Sequence, residues 1–271
     1  MKDLSQKYPI WLTDIWGVVH NGVRPFPTAV QALINHRHNG GKVILISNAP
    51  STSTNVIAHL DQLSVDSNAY DGVVTSGDAT RELITKFGGG KIFHIGTDRD
   101  YSIYQGLAIR RVPVDEATCV VCTGLFDEIN ETAEDYAQLL SDMKTRGLAM
   151  ICANPDKVVQ KGTRLVPCAG AIAEAFSNIG GKVLMAGKPY APIYNLALEK
   201  AEQATGSRVS KSQILAIGDG PATDVLGAAE FGIPCVFITG GINIGDDIIG
   251  SVKKAVPQAQ ILKTMDELDW N

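Results

Sequence analysis

The feature that most constrains the fold is an alternation of short apolar runs with helix-like stretches along the 271 residues. The run Lys42–Ser47 is almost entirely apolar, which is typical of a strand buried on both faces of a parallel sheet. Similar runs at Ile10–Trp16 and Gln213–Gly218 are each followed by a turn and a helix-like stretch. This order predicts an α/β fold with a mostly parallel sheet covered by helices.

The strand–helix series occurs twice, which indicates two domains. The second series has a predicted helix at about Thr132–Arg146, for which Thr132 is a suitable N-cap. Gly180-Gly181 marks the return to the first series, which continues with a strand at Lys182–Met185. We therefore predict one discontinuous domain, 1–81 plus 182–271, interrupted by an inserted domain at 82–181.

Composition excludes several classes of protein. The net charge is −5 and no run of Lys and Arg stands out, which argues against binding to nucleic acid or to an anionic membrane. No apolar run reaches the length of a membrane span and the first residues lack a signal core, so we predict a cytoplasmic protein. Cys119 and Cys122 lie three apart on a predicted strand and point to opposite faces, which favours buried thiols over a zinc site.

Polar residues end the first two strands of the first domain, at the sheet edge where open α/β sheets bind ligands. Asp14 ends the first strand, where a carboxylate can act as a nucleophile and as an oxygen ligand, or simply cap a loop. Ser47 ends the second strand. Its hydroxyl and the N–H groups from Asn48 onward can hold phosphate oxygens, although Ser-Asn is also an ordinary turn pair.

Two later segments carry complementary charges. Lys188 lies between a strand and a helix N-terminus, where it can neutralise phosphate charge, although a solvated lysine is the commoner case. Asp219 and Asp224 flank a turn after an apolar strand. Mg²⁺ needs few protein carboxylates besides water and substrate oxygens, so this pair suits a magnesium site.

The order of these segments resembles the four motifs of the haloacid dehalogenase superfamily, and most closely its class IIA, the NagD-like phosphatases. Asn154–Asp156 resembles the cap-loop signature of that class, and the segment 167–171 resembles its turn before a helix. The resemblance implies a Rossmann-like core with an inserted α/β cap that selects the substrate. It also implies cap contacts to the substrate from Asn154, Asp156 and Gly170.

The resemblance assigns roles to the motif residues. Asp14 would be the nucleophile that carries an aspartyl-phosphate, and Ser47 would bind the phosphate. Lys188 would stabilise the phosphoryl group. Asp219 would bind Mg²⁺ together with Asp14, and Asp224 would support it.

Trp16 departs from the family pattern, which has a second Asp there as the general acid and base. The carbonyl of Trp16 can still bind the metal and its ring can form a pocket wall, but the indole cannot transfer a proton. Loss of positioned acid–base catalysis typically costs ~10²–10⁴ in rate. His20, on the same loop, is the candidate replacement, with an ordinary loop histidine as the alternative.

We therefore predict a Mg²⁺-dependent phosphohydrolase that acts on a small, sugar-phosphate-like metabolite through Asp14. The alternatives are a catalytically impaired protein that binds a phosphorylated ligand in a regulatory role, and a phosphotransferase that uses the same aspartate. The sequence is compatible with a homo-oligomer but does not indicate one.

Overall fold

The apolar runs form strands in the structure, a computed structural model that describes residues 1–87, 89–161, 164–240 and 248–271. In chain order the strands are β1 (Ile10–Asp14), β2 (Lys42–Ser47), β3 (Gly72–Thr75), β4 (Lys91–Ile95), β5 (Arg110–Arg111), β6 (Cys119–Cys122), β7 (Ala149–Cys152), β8 (Val158–Lys161), β9 (Arg164–Pro167), β10 (Lys182–Met185), β11 (Ile214–Gly218), β12 (Cys235–Ile238) and β13 (Ile261–Met265). The α-helices are α1 (Lys2–Lys7), α2 (Pro27–His38), α3 (Ser53–Gln62), α4 (Ser76–Phe87), α5 (Ala137–Thr145), α6 (Ala169–Asn178), α7 (Ala191–Thr205), α8 (Leu226–Phe231) and α9 (Ile248–Ala255).

The chain divides into two compact units. The first comprises residues 1–47, 54–74 and 188–271, and the second comprises 48–53 and 75–187. The first unit is built on a six-stranded sheet in the order β13-β12-β11-β1-β2-β3. The pairs of β1 with β2 and β11, and of β12 with β11 and β13, are parallel. The predicted parallel α/β fold is confirmed.

The second unit has its own parallel sheet, in the order β10-β7-β6-β4-β5, and an antiparallel β8–β9 pair. The prediction that Lys182–Met185 belongs to the first domain is wrong, because this strand pairs along its length with β7. Helix α4 also packs against β7. Apart from residues 48–53, which belong to the second unit, the units change at 74/75 and 187/188. The predicted domain ranges, 1–81 plus 182–271 and 82–181, otherwise stay a prediction.

Local sequence explains where several helices begin and end. Helix α2 has Pro27 at its first position, which suits the fixed φ of proline, and Gly40 follows the helix with a φ of 87°. Helix α7 begins at Ala191 and has Pro192 in its first turn, where a proline is well tolerated. Thr132 forms a capping box with Asp135 at the turn that leads into α5.

Each sheet is covered by its own apolar core. In the first unit Trp11, Leu33 and Leu45 are fully buried in one cluster, and in the second unit Val120 and Phe176 are fully buried in another. None of the described helices combines the length and the apolar character needed to cross a bilayer.

The cysteines of the described chain are buried. Burial raises the pKa of the Cys119 thiol to about 11 and raises that of Cys122 well above its usual range. A zinc ligand must be a thiolate, so these environments favour buried thiols, as the strand position predicts.

Candidate active site

The carboxyl ends of three neighbouring strands lie level with one another in the first unit. Asp14 of β1 is in register with Ile46 of β2, so Ser47 comes directly after it at the same edge. On the other side of β1, Thr13 is in register with Ile217 of β11. Strand β11 ends at Gly218, so Asp219 is the first residue after it. Parallel pairing therefore brings residues from distant parts of the chain to one edge of the sheet.

A buried lysine joins two of the predicted site residues. The Nζ atom of Lys188 lies 2.6 Å from Oδ1 of Asp14 and 2.8 Å from Oδ1 of Asp224. The residues are only 2% (Lys188), 7% (Asp14) and 4% (Asp224) exposed, so these charges lie in a largely water-free environment. Buried charges are tolerated when they are paired and hydrogen-bonded, which the lysine provides here.

Asp219 completes a cluster of three carboxylates. One oxygen each of Asp14, Asp219 and Asp224 lies within 4.8 Å of the others, and this is the one such group of potential metal ligands among the described residues. Asp219 is 3% exposed. Carboxylate oxygens are the ligands that Mg²⁺ prefers. Among the described residues, the positive charge paired with these carboxylates comes from Lys188. The donor set and its excess of negative charge therefore fit a divalent cation.

The cluster shifts the pKa of its members. Burial raises the pKa of Asp14 well above its usual range, and the charges of Asp224 and Asp219 raise it further, with Lys188 opposing them. Burial alone would lower the pKa of Lys188, but the charges of Asp14 and Asp224 outweigh it and raise that pKa. The lysine therefore stays protonated, and a cation that neutralises the acids would favour ionised Asp14.

The turn after β1 lies against the cluster. The Ile15 N–H donates to Asp14 Oδ1 at 2.8 Å. Gly17 has a φ of 82°, and a Cβ at this position would overlap the carboxylate of Asp219. The turn is closed by bonds from the Gly17 N–H to the His20 carbonyl and from the His20 N–H to the Ile15 carbonyl. Neither bond uses the Trp16 carbonyl, whose role as a metal ligand stays a prediction.

The side chains of Trp16 and His20 pack against each other in this turn. Their ring centroids are 5.4 Å apart in an edge-to-face arrangement, and the Trp16 ring leaves no room for a Cβ at Gly22. His20 Nδ1 accepts a hydrogen bond from the Gly22 N–H at 2.9 Å. Burial, with the neighbouring His59, lowers the pKa of His20 to about 4, so the ring is neutral near pH 7. The acid–base role of His20 stays a prediction.

Glycines around Asp219 and Asp224 are site residues that the motif analysis did not single out. The Gly220 N–H donates to Asp224 Oδ2 at 3.1 Å, and Thr223 Oγ1 donates to the same oxygen at 3.3 Å. A Cβ at Gly218 would overlap the Asp224 side chain. The signal in the sequence was the pair of glycines on either side of Asp219, which permit this close approach.

The predicted cap residues come together within the second unit. Asn48 Nδ2 donates to Asp156 Oδ1 at 3.0 Å, and the Asp156 N–H donates to Asn154 Oδ1 at 3.1 Å. The Gly170 N–H donates to the Asp156 carbonyl, and a Cβ at Gly170 would overlap backbone atoms of Pro155 and Asp156. Asn48 is therefore part of the cap-side cluster, although it directly follows Ser47 of the first unit.

The chain matches two family models. Residues 11–110 match a family described as haloacid dehalogenase-like hydrolase, and residues 185–268 match one described as HAD-hydrolase-like. The first match contains Asp14 and Ser47, and the second contains Lys188, Asp219 and Asp224. All the residues of the carboxylate–lysine cluster thus lie within the matched segments.

Solved structures and curated proteins resemble nearly the whole chain. A crystal structure of a haloacid dehalogenase-like family hydrolase from Brucella suis 1330 is 45% identical, with a TM-score of 0.89 over 99% of this chain and 98% of that one. An acid sugar phosphatase from Staphylococcus aureus is 26% identical over 97% of both chains.

A third relative was solved with bound metal. The glycerol phosphate phosphatase from Mycobacterium tuberculosis, in complex with calcium, is 25% identical with a TM-score of 0.68, and the match covers 89% of this chain and 68% of that one. In its complex with magnesium the identity is 24% and the TM-score 0.73, over 96% of this chain and 75% of that one.

Proposed function

Because the chain belongs to the haloacid dehalogenase-like hydrolases, as its four motifs predicted, we propose that it is a Mg²⁺-dependent phosphatase of small phosphorylated metabolites. The observation that carries the proposal is the buried Lys188 ammonium between Asp14 and Asp224, with Asp219 beside them. The relatives named acid sugar phosphatase and glycerol phosphate phosphatase support a sugar-phosphate-like substrate, and they agree with the NagD-like class.

Asp14 acts as the nucleophile in the proposed reaction. Its carboxylate oxygen attacks phosphorus, the bond from phosphorus to the leaving oxygen breaks, and water then hydrolyses the aspartyl-phosphate. Lys188 holds Asp14 in place and balances the charge of the phosphoryl oxygens. Ser47, at the adjacent strand end, contributes its hydroxyl to phosphate binding.

Asp14, Asp219 and the carbonyl of Trp16 would hold Mg²⁺, with Asp224 supporting the arrangement through its bond to Lys188. When bound, Mg²⁺ supplies positive charge that stabilises the phosphoryl oxygens. A divalent cation fits this site because its three buried carboxylates carry more negative charge than Lys188 alone can balance. The calcium and magnesium complexes of the Mycobacterium tuberculosis relative support a divalent cation as the cofactor.

The second unit selects the substrate in this proposal. Asn154, Asp156 and Gly170 provide the cap contacts, and Asn48 belongs with them because it bonds Asp156 directly. A hydrogen-bonding cluster of this kind suits a polyol or sugar moiety, whose hydroxyl groups both donate and accept. The cytoplasmic location and a homo-oligomeric state remain predictions.

The Asp14→Asn variant tests the proposal. We expect wild-type protein with Mg²⁺ to release phosphate from an aryl phosphate, and Asp14→Asn to lose nearly all of that activity. Asp71→Asn is the matched control, since it makes the same change at a mostly buried aspartate that pairs with Arg37 in the first unit. Equal rates for Asp14→Asn and wild type would contradict the nucleophilic role.

Trp16 favours a second candidate function, a regulatory protein that binds phosphorylated ligands without turnover. The discriminating measurement is the melting temperature with phosphorylated metabolites, alongside phosphate release. Stabilisation without release would favour the regulatory protein. A phosphotransferase would instead transfer the phosphoryl group from Asp14 to an added alcohol acceptor faster than to water.

A further inference from the structure

The sheet of the second unit has a topological switch point between β4 and β6. Its strand order is β10-β7-β6-β4-β5, and neighbouring strands are parallel. From β4 the chain passes to β5 on one side and then to β6 on the other, so the strand order reverses between β4 and β6. Open α/β sheets bind ligands in the crevice at such a point, outside the carboxyl ends of the strands.

The predicted cap contacts lie on the same edge of this sheet. The Ala153 N–H, after β7, donates to the Cys122 carbonyl at the end of β6 at 2.8 Å. The Thr123 N–H, after β6, donates to the Ile95 carbonyl at the end of β4, also at 2.8 Å. The carboxyl edge is therefore continuous from the loop that contains Asn154 to the switch point.

A buried polar network joins the loops that follow β4 and β6. Thr123 Oγ1 donates to Asp100 Oδ2 at 2.9 Å, and both residues are buried. Gly96 has a φ of 145°, and a Cβ at this position would overlap Thr123 Oγ1. Asp100 Oδ1 lies 3.5 Å from Nε of Arg99. The network thus orients the Arg99 side chain, as the contacts of a binding site require.

Arg99 and Glu128 form an ion pair across the switch point, one from each loop. Their side chains are 56% and 20% exposed, so both can contact a ligand. A Cβ at Gly124 would have Glu128 Oε1, at 3.8 Å, as its nearest neighbour beyond the adjoining residues, which leaves room beside that carboxylate. A guanidinium donates and a carboxylate accepts, and together they match the adjacent hydroxyl groups of a polyol.

An exposed aromatic ring lies in the loop after β6. Phe126 is 46% exposed, and its ring is stacked on that of Tyr136 with centroids 5.5 Å apart. The Phe126 N–H donates to the Tyr136 hydroxyl at 2.6 Å, which holds the ring in place. The apolar C–H face of a sugar ring packs favourably on such a ring. The loop therefore combines an aromatic surface with a charged pair.

We propose that the hydroxyl-bearing part of the substrate binds at this switch point, and that Arg99 and Glu128 determine selectivity for polyol and sugar phosphates. The inference rests on the proposed function, in which Asp14 receives the phosphoryl group. Arg99 donates to one hydroxyl oxygen, Glu128 accepts from the neighbouring hydroxyl, and Phe126 packs on the ring of a sugar. A phosphate ester without hydroxyl groups makes none of these contacts.

The test compares ethyl phosphate, which has no hydroxyl group, with glycerol phosphate and a hexose 6-phosphate. Wild type with Mg²⁺ is expected to have a higher kcat/KM on the two polyol esters. Arg99→Gln and Glu128→Gln are each expected to lower kcat/KM on these esters by about 10–100-fold, the usual effect of losing a hydrogen bond to a charged group. Activity on ethyl phosphate should be unchanged. Phe126→Ala should impair the hexose ester more than the glycerol ester, which has no ring.

Arg110→Gln is the matched control. Arg110 is an exposed arginine of the same unit that pairs with Glu116, but it is in register with Lys91 at the amino end of β4. It therefore lies toward the opposite edge of the sheet, and its loss is expected to leave the rates on all three esters unchanged.

A binding measurement separates the inference from the proposed function. Asp14→Asn is labelled with 4-fluorophenylalanine, and the ¹⁹F signal of Phe126 is identified by its loss in a Phe126→Tyr variant. With Mg²⁺, a saturating polyol ester is expected to shift that signal and ethyl phosphate to leave it in place. An unmoved signal, or equal losses on ethyl phosphate and the polyol esters in Arg99→Gln, would overturn the inference. Absence of Asp14-dependent turnover of every ester would instead overturn the proposed function itself.

Discussion

Lys188 is the residue on which the charge balance of the site depends. Its ammonium group contacts two carboxylates, and the described cluster contains a third. Removing one partner from a buried ion pair leaves an uncompensated charge, which is more costly than the pair itself is stabilising. The residue therefore contributes to stability as well as to the proposed catalysis.

Lys188→Met is expected to lower the free energy of unfolding by about 3–5 kcal/mol in EDTA, because two buried carboxylates lose their cation. Added Mg²⁺ is expected to restore part of the loss. The measurement is urea unfolding with and without Mg²⁺. Lys42→Met is the control, since Lys42 is a partly exposed partner of Asp71 at 3.2 Å and should matter by no more than ~1 kcal/mol. Equal effects of the two substitutions would contradict this account.

Asp71 gives a prediction about pH. Burial alone would raise its pKa, but hydrogen bonds from Arg37, Val43 and Lys42 outweigh burial and hold the pKa below its ordinary 3.8. A carboxylate with a lowered folded pKa stabilises the fold above its unfolded pKa, and this stabilisation disappears as the pH falls through the folded value.

We therefore expect Asp71→Asn to reduce the free energy of unfolding near pH 7, with a difference from wild type that shrinks progressively below about pH 4. Denaturant unfolding near pH 7 and near pH 3 measures both values. A difference of the same size at both pH values would show that the loss comes from packing rather than from charge.

At the scale of elements, the site depends on where strands end. β1, β2 and β11 stop within a residue of one another in the sheet register, so their following residues meet at one edge. The turn after β1 then has to pass close to Asp219, which requires a glycine with positive φ. Small residues in this turn are therefore part of the site geometry.

Gly17→Ala tests that requirement. A Cβ at Gly17 would overlap the Asp219 carboxylate, so we expect activity to fall by at least tenfold together with a loss of stability. Gly40→Ala is the control, because Gly40 has a similar φ of 87° and nothing within 4 Å of the added Cβ. Both variants should lose about 1 kcal/mol or more to backbone strain. If Gly40→Ala lost as much activity, strain alone would explain the effect.

The sequence predicted the individual strands of the site better than their assembly. Apolar runs ending in Asp14, Ser47 and Gly218-Asp219 placed these residues at strand ends, and the register of the first sheet is consistent with that. The assignment of Lys182–Met185 failed because an apolar strand does not encode which sheet it joins. That choice depends on distant partners, here β7, which local patterns do not contain.

At the scale of the whole molecule, three buried histidines link folding to pH. Burial lowers the pKa of His20, His36 and His94 to about 4 each. His36 illustrates the environment, since it stacks on Trp11 with centroids 3.8 Å apart and contacts Ser5 Oγ at 2.7 Å. Such residues are neutral when folded and take up protons on unfolding at mildly acidic pH.

Histidines with lowered folded pKa contribute stability that is present above their unfolded pKa of about 6.5 and is lost progressively down to about 4. We therefore expect the melting temperature to fall across this window. His36→Gln should weaken the pH dependence, whereas His38→Gln, at an exposed position of the same helix, should not change it. A melting temperature that is constant from pH 6.5 to 4 would contradict this.

The most direct test of the central claim is to trap the enzyme during turnover. Wild-type protein with Mg²⁺ and an aryl phosphate is quenched in acid within milliseconds, digested and analysed by mass spectrometry. The account predicts one added phosphoryl group on the peptide that contains Asp14, absent from Asp14→Asn. Turnover by wild type with the phosphoryl group on another residue, or with phosphate release undiminished in Asp14→Asn, would contradict it.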